Sequence, residues 1–464
     1  MVRIFHGDRE NLENQYITKI SLKGYKSFSE EKAIEIRNLT ILAGSNSSGK
    51  SSIFQPLLLM KQTLEESFDP GALLINGSHV KFTKIDQMLS KLHNNRSSNF
   101  SVTLWVHNTN YFKFVFEKNP SKGIDVAENI ISSDNKITTL NINMTSDELK
   151  KQESEQIKSI VGFLYQSQKN KGLPKREDIE KNLALSIQRD RCYLEVIAKY
   201  ESSDSHLNFP SGIFSSGSDM KYSINKNLLN IIHVPALRGN PRRLYQKTGV
   251  ETRFPGTFEN YIASIITYWM KSDVSKLDEL SASLVALGLS KKVKTKEIDD
   301  ANVEILVPQL PILSKGSDKN WISIADVGFG VSQTLPILVA LLVAEKGQMV
   351  YIEQPEIHLH PEVQLKLAEL FVKAANRGVR LIIETHSDIL LLGIQTLLAE
   401  ENISPNDVIF HWFERDKNGA TQITSSTLNK DGSYVNWPQD FGRIYLSAQQ
   451  RFVTASKKQI FKNN

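Results

Sequence analysis

The sequence predicts an α/β fold in which a β-rich N-terminal lobe and a parallel-sheet lobe are separated by a mainly helical insertion. Apolar and polar residues alternate near the N-terminus, as in half-buried strands. In the C-terminal half, short apolar runs alternate with helical patterns, which is typical of a parallel sheet. Between about 130 and 225, apolar residues recur at helical spacing. We therefore place the three parts at 16–130, 131–227 and 228–464.

Length and composition indicate a folded chain. For 464 residues two or three domains are expected, and the 40% hydrophobic and 23% charged fractions exclude wholesale disorder. The net charge of +5 is modest, and no strongly basic run suggests a nucleic-acid arm. One cysteine, Cys192, excludes a disulfide framework or a cysteine zinc site. The first residues lack an apolar signal segment, and the most apolar run, Leu335–Val343, is too short for a membrane helix. We expect a cytoplasmic protein without a membrane partner.

Strands are predicted at the start of the N-terminal lobe. Residues 16–36 alternate with a break at Gly24, which predicts two short strands, and residues 100–106 predict another. The apolar run at 39–43 predicts a buried strand, and a Gly/Ser/Asn turn separates it from a helix over 51–64.

The insertion is predicted to contain a helical hairpin with charged outer faces, broken at 172–174. The apolar residues at helical spacing are Ile157, Val161, Leu164, Ile179, Leu183 and Ile187. The Ser/Gly-rich stretch 202–218 predicts a loop. Further on, residues 350–352 and 379–383 predict buried parallel strands, each followed by a helix. Near the end, Asn418-Gly419 predicts a hairpin turn.

The turn after the strand at 39–43 fits the phosphate-binding loop (P-loop) pattern G-x-x-x-x-G-K-[ST]. The residues of the predicted loop and the start of its helix are Gly44, Ser45, Asn46, Ser47, Ser48, Gly49, Lys50, Ser51 and Ser52. The glycines allow successive N–H groups to turn inward around phosphate oxygens, and the helix adds its positive end. We expect Lys50 to reach the β- and γ-phosphates and the Ser51 hydroxyl to hold Mg²⁺. The pattern therefore predicts nucleotide binding.

A second candidate cluster lies at the end of the strand that starts near 349. Glu353 and Glu356 follow this apolar strand, and ligands of α/β sheets bind at such strand ends. This is the context of a Walker B motif, in which a carboxylate accepts from a Mg²⁺-bound water. An ordinary strand followed by a helix-capping acid is the alternative. His358 and His360 are two residues apart and would not share a helix face, so a zinc site is not predicted.

Two further elements complete the pattern. A glycine-rich turn with Gly330 and Ser332 precedes a strongly apolar helix, where Ser332 either serves a ligand or simply caps the helix. Residues 384–387, Glu-Thr-His-Ser, follow another buried strand, so that His386 is either structural or a sensor of the γ-phosphate.

Taken in order, these elements resemble the ATPase head of the ABC/SMC superfamily, and most of all its compact RecF/OLD-type AAA ATPases. The resemblance covers about 16–120 and 228–440. The segments that carry it are 20–28, 44–51, 234–239, 328–333, 353–361 and 384–387. It implies an ABC/SMC-type head that uses ATP and Mg²⁺, with Ser51 and Glu353 at the metal and Glu353, Glu356 and His386 in catalysis.

The resemblance also implies a composite site between two subunits. In such heads the P-loop of one subunit faces the signature of the other, here Gly330 and Ser332, so a homodimer or larger assembly is expected. One position departs from the family pattern, because Glu353-Gln354 stands where these heads have Asp-Glu. An amide cannot take a proton from water as a carboxylate does. Either Glu356 is the base, or hydrolysis is slow and the ATP-bound state long-lived.

Two functions from different classes remain open. No Asp-x-Asp follows His386, so an intrinsic Toprim-type nuclease is not expected. ATPases of this kind resemble the ATPase subunits of the antiphage systems Septu and PARIS, which implies control of a separate effector, a nuclease or toxin. The alternative is a RecF- or SMC-like DNA clamp.

A metabolic kinase or a transporter subunit fits the signature and Walker B segments less well than these two functions. The DNA alternative depends on a basic groove. The best basic cluster consists of Arg238, Arg242, Arg243 and Lys247. A solvated loop, or arginines that meet the partner's nucleotide, would also explain it.

Overall fold

A computed structural model of the protein describes residues 15–92, 97–106, 109–121, 123–133, 136–152, 183–200, 212–214, 218–309, 321–436 and 450–455, with single positions 158 and 177. Its strands are β1 (Ile17–Lys23), β2 (Lys32–Glu35), β3 (Leu39–Gly44), β4 (Asn99–Val106), β5 (Asn110–Asn119), β6 (Gly123–Ser133), β7 (Lys136–Asn141), β8 (Leu183–Asp190), β9 (Tyr193–Tyr200), β10 (Gly212–Phe214), β11 (Ile232–Val234), β12 (Tyr245–Gln246), β13 (Lys294–Glu297), β14 (Asn302–Pro308), β15 (Trp321–Ser323), β16 (Met349–Glu353), β17 (Arg380–Thr385), β18 (Val408–Arg415) and β19 (Thr421–Ser426). Its α-helices are α1 (Lys50–Glu65), α2 (Ser146–Gln152), α3 (Ser218–Leu229), α4 (Ile262–Ser272), α5 (Val274–Ala286), α6 (Phe329–Val343), α7 (Pro361–Asn376) and α8 (Asp388–Ala399).

The central sheet has the strand order β11-β16-β17-β3-β18-β19. Its first five strands run parallel, and β19 closes the edge as the antiparallel partner of β18. The pleat divides β3 between two cores: Leu42 packs with α1 and the N-terminal lobe, whereas Leu39 and Ile41 pack with helices α4 to α8. Burial on both faces explains why β3, β16 and β17 are continuous apolar runs.

The N-terminal lobe is a six-stranded sheet in the order β2-β1-β4-β5-β6-β7, with antiparallel pairing throughout. The predicted α/β class with a β-rich lobe and a parallel-sheet lobe is therefore confirmed. The predicted strands near 16–36, 39–43, 100–106, 350–352 and 379–383 and the predicted P-loop helix are also confirmed. The Asn418-Gly419 turn joins β18 to β19, with Gly419 at φ 81°. In the described part of the chain, no helix is both long and apolar enough to cross a membrane.

The insertion differs from its prediction. Leu183 and Ile187 lie in strand β8, which pairs with β9, so the helix predicted over 179–187 is wrong where the chain is described. Strand β10 lies inside the stretch predicted as a loop, and the boundary at 130/131 falls inside β6. A spacing of four residues fits both a helix and a strand, and the alternation of Leu183, Leu185 and Ile187 was the strand signal. Ile157, Val161, Leu164 and Ile179 lie outside the described residues.

Candidate nucleotide-binding site

The P-loop connects β3 to α1 and depends on its two glycines. Gly44 and Gly49 have φ values of 142° and 109°, which side-chain-bearing residues rarely adopt. A Cβ atom at Gly44 would lie 2.1 Å from the carbonyl oxygen of Phe413, and one at Gly49 would lie 2.6 Å from Thr421 Oγ1. The close approach of β18 and β19 therefore fixes the glycines of the motif in place.

The hairpin β18–β19 also holds the tip of the P-loop. Thr421 Oγ1 donates to the Ser48 carbonyl oxygen at 2.7 Å, and Arg415 Nε donates to the Ser47 carbonyl oxygen at 2.6 Å. Ser27 Oγ lies 2.7 Å from Thr421 Oγ1, so the segment 20–28 reaches the loop as well. These bonds tie the tip of the P-loop to the hairpin and to the segment 20–28.

Lys50 lies inside the curve of the loop. Its Nζ donates to the carbonyl oxygens of Gly44 and Ser45 at 3.1 and 2.7 Å, and the residue is 3% exposed. Burial lowers the pKa of Lys50, although the charges of Glu384 and Glu356 act in the opposite direction. Glu384, near the end of β17, and Glu356, in the turn after β16, therefore favour the charged form of this lysine.

Ser51 contacts a carboxylate that the sequence analysis did not single out. Ser51 Oγ donates to Glu384 Oε1 at 2.9 Å, and the Tyr351 hydroxyl donates to Glu384 Oε2 at 2.9 Å. Burial, followed by the nearby Glu353 charge, raises the pKa of Glu384. In the sequence, the signal for Glu384 was a single acidic residue near the end of the apolar strand β17, two residues before His386.

Glu353, at the end of β16, is held by other groups. Its Oε1 lies 3.2 Å from His233 Nε2, and its Oε2 accepts from the Ala236 N–H at 3.2 Å. Burial raises the pKa of Glu353, but the bonds from His233 and Ala236 outweigh it, and the pKa lies below its usual value.

A buried polar chain continues from His233 away from the P-loop. His233 Nδ1 lies 3.3 Å from His79 Nδ1, and His79 Nε2 lies 3.5 Å from Glu65 Oε2. Glu65 forms an ion pair with Lys61 at 2.5 Å, one helical turn earlier in α1. We call Glu353, His233, His79, Glu65 and Lys61 the buried polar chain.

Glu356 and His386 face each other across the strand ends. The backbone N–H of His386 donates to Glu356 Oε1 at 2.7 Å. Glu356 Oε2 is buried and has no hydrogen-bond partner among the described residues. Burial raises the pKa of Glu356. The His386 side chain is exposed; burial and Lys50 lower its pKa, whereas a hydrogen bond with the Gly44 backbone raises it.

The signature residues lie at the start of α6. Gly328 is the N-cap, no side chain caps the helix, and Gly330 and Ser332 belong to its first turns. The alternative in which Ser332 caps this helix is therefore wrong. The backbone N–H groups of the first turn can instead donate hydrogen bonds to an anion.

Arg238 connects this helix to the turn after β16. Its Nε donates to Gln333 Oε1 at 3.3 Å, and its Nη2 donates to the Gln354 carbonyl oxygen at 3.1 Å. Gln333 Nε2 donates back to the Arg238 carbonyl oxygen at 3.2 Å. Arg238 is 6% exposed, so the predicted basic cluster loses this member to the interior.

The other cations of that cluster are engaged by protein groups. Arg243 pairs with Asp326 at 2.7 Å, and Lys247 pairs with Glu297 at 2.9 Å. Arg242 Nη1 donates to the side-chain oxygen of Asn260 at 3.2 Å. The cluster therefore presents less free positive charge than its sequence suggests.

The residues around Ser51 fit a magnesium nucleotide. The Ser51 hydroxyl and the Glu384 carboxylate offer oxygen atoms, which Mg²⁺ prefers, and Lys50 lies inside the curve of the loop. Among the residues described, no three His, Cys, Asp or Glu side chains form a metal cluster by themselves.

Comparison with known proteins gives one family match. Residues 16–391 match the family model described as AAA ATPase domain. No curated protein matches the chain. Solved structures that match include the SMC head bound to the C-winged helix domain of ScpA, at 12% identity and a TM-score of 0.43 over 89% of this chain and 98% of that one. The SMC head domain from Thermotoga maritima matches at 12% identity and a TM-score of 0.38, over 88% and 98%.

Proposed function

Because the chain belongs to the AAA ATPase domain family, we propose that it binds ATP with Mg²⁺ at the P-loop and hydrolyses it. One observation carries the proposal: Ser51 donates to Glu384, and Lys50, inside the curve of the P-loop, is subject to the charges of Glu384 and Glu356. A cation, a hydroxyl and two carboxylates are the groups that phosphoryl transfer to water requires.

In this proposal each side chain has one task. Lys50 exchanges the carbonyl oxygens of Gly44 and Ser45 for phosphate oxygens. Bound Mg²⁺ would neutralise phosphate charge and polarise the bond that breaks. Glu356 takes the proton of the attacking water on Oε2, the oxygen without a partner in the described structure, while the His386 N–H holds Oε1. His386 contacts the γ-phosphate.

The base is tested by comparing Glu356→Gln with Glu353→Gln. We expect Glu356→Gln to bind ATP normally and to lose about 100- to 10,000-fold in kcat, as removal of a general base does. ATP turnover is measured under saturating nucleotide, with binding measured separately. Wild-type turnover in Glu356→Gln together with loss in Glu353→Gln would refute this role for Glu356.

We further propose that two copies complete each other's sites, with the start of α6 from one copy, including Gly330 and Ser332, placed against the nucleotide of the other. The N-terminus of α6 supports this, because Gly328 is its N-cap and no side chain caps it, and the N-terminal end of a helix favours negative charge. The test mixes two inactive variants, Lys50→Ala and Ser332→Arg. Each pure variant has a defect in both composite sites, whereas a mixed dimer has one intact site.

Random mixing should restore about a quarter of wild-type turnover, since half of the dimers are mixed and half of their sites are intact. Retained ATP binding by Ser332→Arg shows that this variant is folded. Turnover that stays at the level of the separate variants would refute the composite site.

The finer proposal is that the ATP-bound assembly controls a separate effector, a nuclease or toxin, in antiphage defence. Its support is the resemblance of the motifs to those of the ATPase subunits of antiphage systems. Affinity purification from the native host, with and without ATP and Mg²⁺, tests it with Lys50→Ala as control. An effector bound equally in all states would refute switching, since a ligand shifts only an equilibrium that it distinguishes.

Recovery of DNA and repair proteins in that experiment would favour the DNA clamp instead. Its affinity for DNA should then fall steeply with salt. The engaged cations of the basic cluster do not favour this outcome.

A further inference from the structure

We propose that Glu384, rather than Glu353, is the carboxylate that positions Ser51 for Mg²⁺. The assignment rests on the proposed function, since it supposes that a magnesium nucleotide occupies the P-loop. It differs from the sequence-based expectation, which gave this place to the acid at the end of β16.

The strand order supplies the first argument. Strand β17 lies between β16 and β3, so the Walker B strand does not touch the strand that carries the P-loop. Glu384 stands opposite Leu42 of β3, two residues before Gly44. Glu353 stands opposite Glu384 and is therefore one strand farther from the loop.

The direction of the Ser51 hydroxyl supplies the second argument. Ser51 gives its only hydroxyl proton to Glu384 Oε1, which leaves its oxygen lone pairs free for a cation. Tyr351 donates to the other oxygen, so the carboxylate is fixed on both sides. Glu384 is 3% exposed, and such outer groups set the orientation of a metal ligand.

The partners of Glu353 supply the third argument. Each of its oxygens is engaged by a group other than Ser51, one by His233 and one by the Ala236 N–H. These bonds tie the segment after β11 to the end of β16. Glu353 is thus a positioning residue for that segment, and releasing it toward a metal would leave the buried His233 without this contact.

The test measures metal affinity directly, in the full-length protein with a non-hydrolysable ATP analogue. Free Mn²⁺, the probe, is followed by electron paramagnetic resonance. We expect Glu384→Gln to weaken nucleotide-dependent Mn²⁺ binding about 10- to 100-fold, the usual effect of losing an outer partner. Glu353→Gln should leave Mn²⁺ binding close to that of the wild type. Affinity for the analogue in EDTA should be unchanged in both variants, which shows that the P-loop is folded.

Ser51→Ala is the second variant, because it removes the donor and leaves Glu384 in place. If Ser51 and Glu384 act through one bond, the double variant should bind Mn²⁺ as tightly as the single variant with the lower Mn²⁺ affinity. Loss of Mn²⁺ binding in Glu353→Gln, alone or together with Glu384→Gln, would overturn the assignment. Additive losses in the double variant would also overturn it. A wild type that fails to bind the analogue both with Mg²⁺ and in EDTA would overturn the proposed function itself.

Discussion

Replacing Arg238 by methionine removes the guanidinium that joins the start of α6 to the turn after β16 and keeps much of the side chain's apolar volume. The change deletes the donors to Gln333 Oε1 and to the carbonyl oxygen of Gln354. Gln354 has a φ of 43°, an unfavourable value for a residue with a side chain, and its carbonyl oxygen also accepts from the Ile357 N–H at 3.3 Å.

The expected loss follows from these contacts. Hydrogen bonds from a charged donor contribute about 1.5–3 kcal/mol each, so two of them contribute about 3–6 kcal/mol. The cost of removing the guanidinium charge from water opposes this gain. Two observations indicate this cost: burial lowers the pKa of Arg238, and its Nη1 has no hydrogen-bond partner in the described structure. We therefore expect a loss of about 2–4 kcal/mol in the free energy of unfolding.

Urea unfolding measures this loss, and Arg243→Met is the matched control. Arg243 is exposed, with 62% of its side chain accessible, so solvent screens its pair with Asp326 and the pair should contribute little to stability. Arg238→Met should also lower kcat about 10- to 100-fold without raising KM for ATP, because Glu356 lies on the turn that loses its support.

Equal unfolding free energies for the two arginine variants would refute the reasoning about burial. A stable Arg238→Met with wild-type kcat would show that the turn holds Glu356 in place without this contact.

Three further predictions concern the loop, the base and the cysteine. Gly49→Ala should lose nucleotide binding, and its free energy of unfolding should fall by about 1–3 kcal/mol or more, since the added Cβ would meet Thr421. The control is Gly71→Ala, because Gly71 has φ 107° and a Cβ there would meet nothing within 4 Å, so that only the backbone strain remains. The raised pKa of Glu356 predicts that kcat falls with decreasing pH at a midpoint above the usual 4.5, because the base must be deprotonated. If Glu356→Gln showed the same fall of kcat at low pH, this prediction would be contradicted. Cys192 is buried with its pKa raised to about 12, so a thiol reagent at pH 8 should react only on unfolding, and equal rates in folded and denatured protein would contradict this.

Motifs whose geometry is set by a few neighbouring residues were predictable from the sequence. The P-loop lies between a strand and a helix because glycines at 44 and 49 and the apolar run before them dictate that geometry over a few residues. The hairpin at Asn418-Gly419 follows for the same reason.

The partner of Ser51 was not predictable, because it depends on the order of strands in the sheet. Nothing local places β17 between β16 and β3, so the sequence favoured Glu353 as the nearest acid in the expected motif. His233 and Tyr351 are single polar residues within apolar runs and gave no pattern. The error over 179–187 has another origin, since tertiary packing decides between periods that a short apolar run fits equally well.

Helix α1 has a mechanical consequence, because both of its ends are tied to strand-end carboxylates. Ser51 at its start is bonded to Glu384, and Glu65 at its end belongs to the buried polar chain that leads back to Glu353. Ser51 and Glu65 are about 21 Å apart along the helix, at 1.5 Å per residue, and Pro56 lies between them. Glu65 also accepts from the Gly256 N–H at 3.0 Å. The P-loop and the segment at Gly256 are thus joined through opposite ends of one helix.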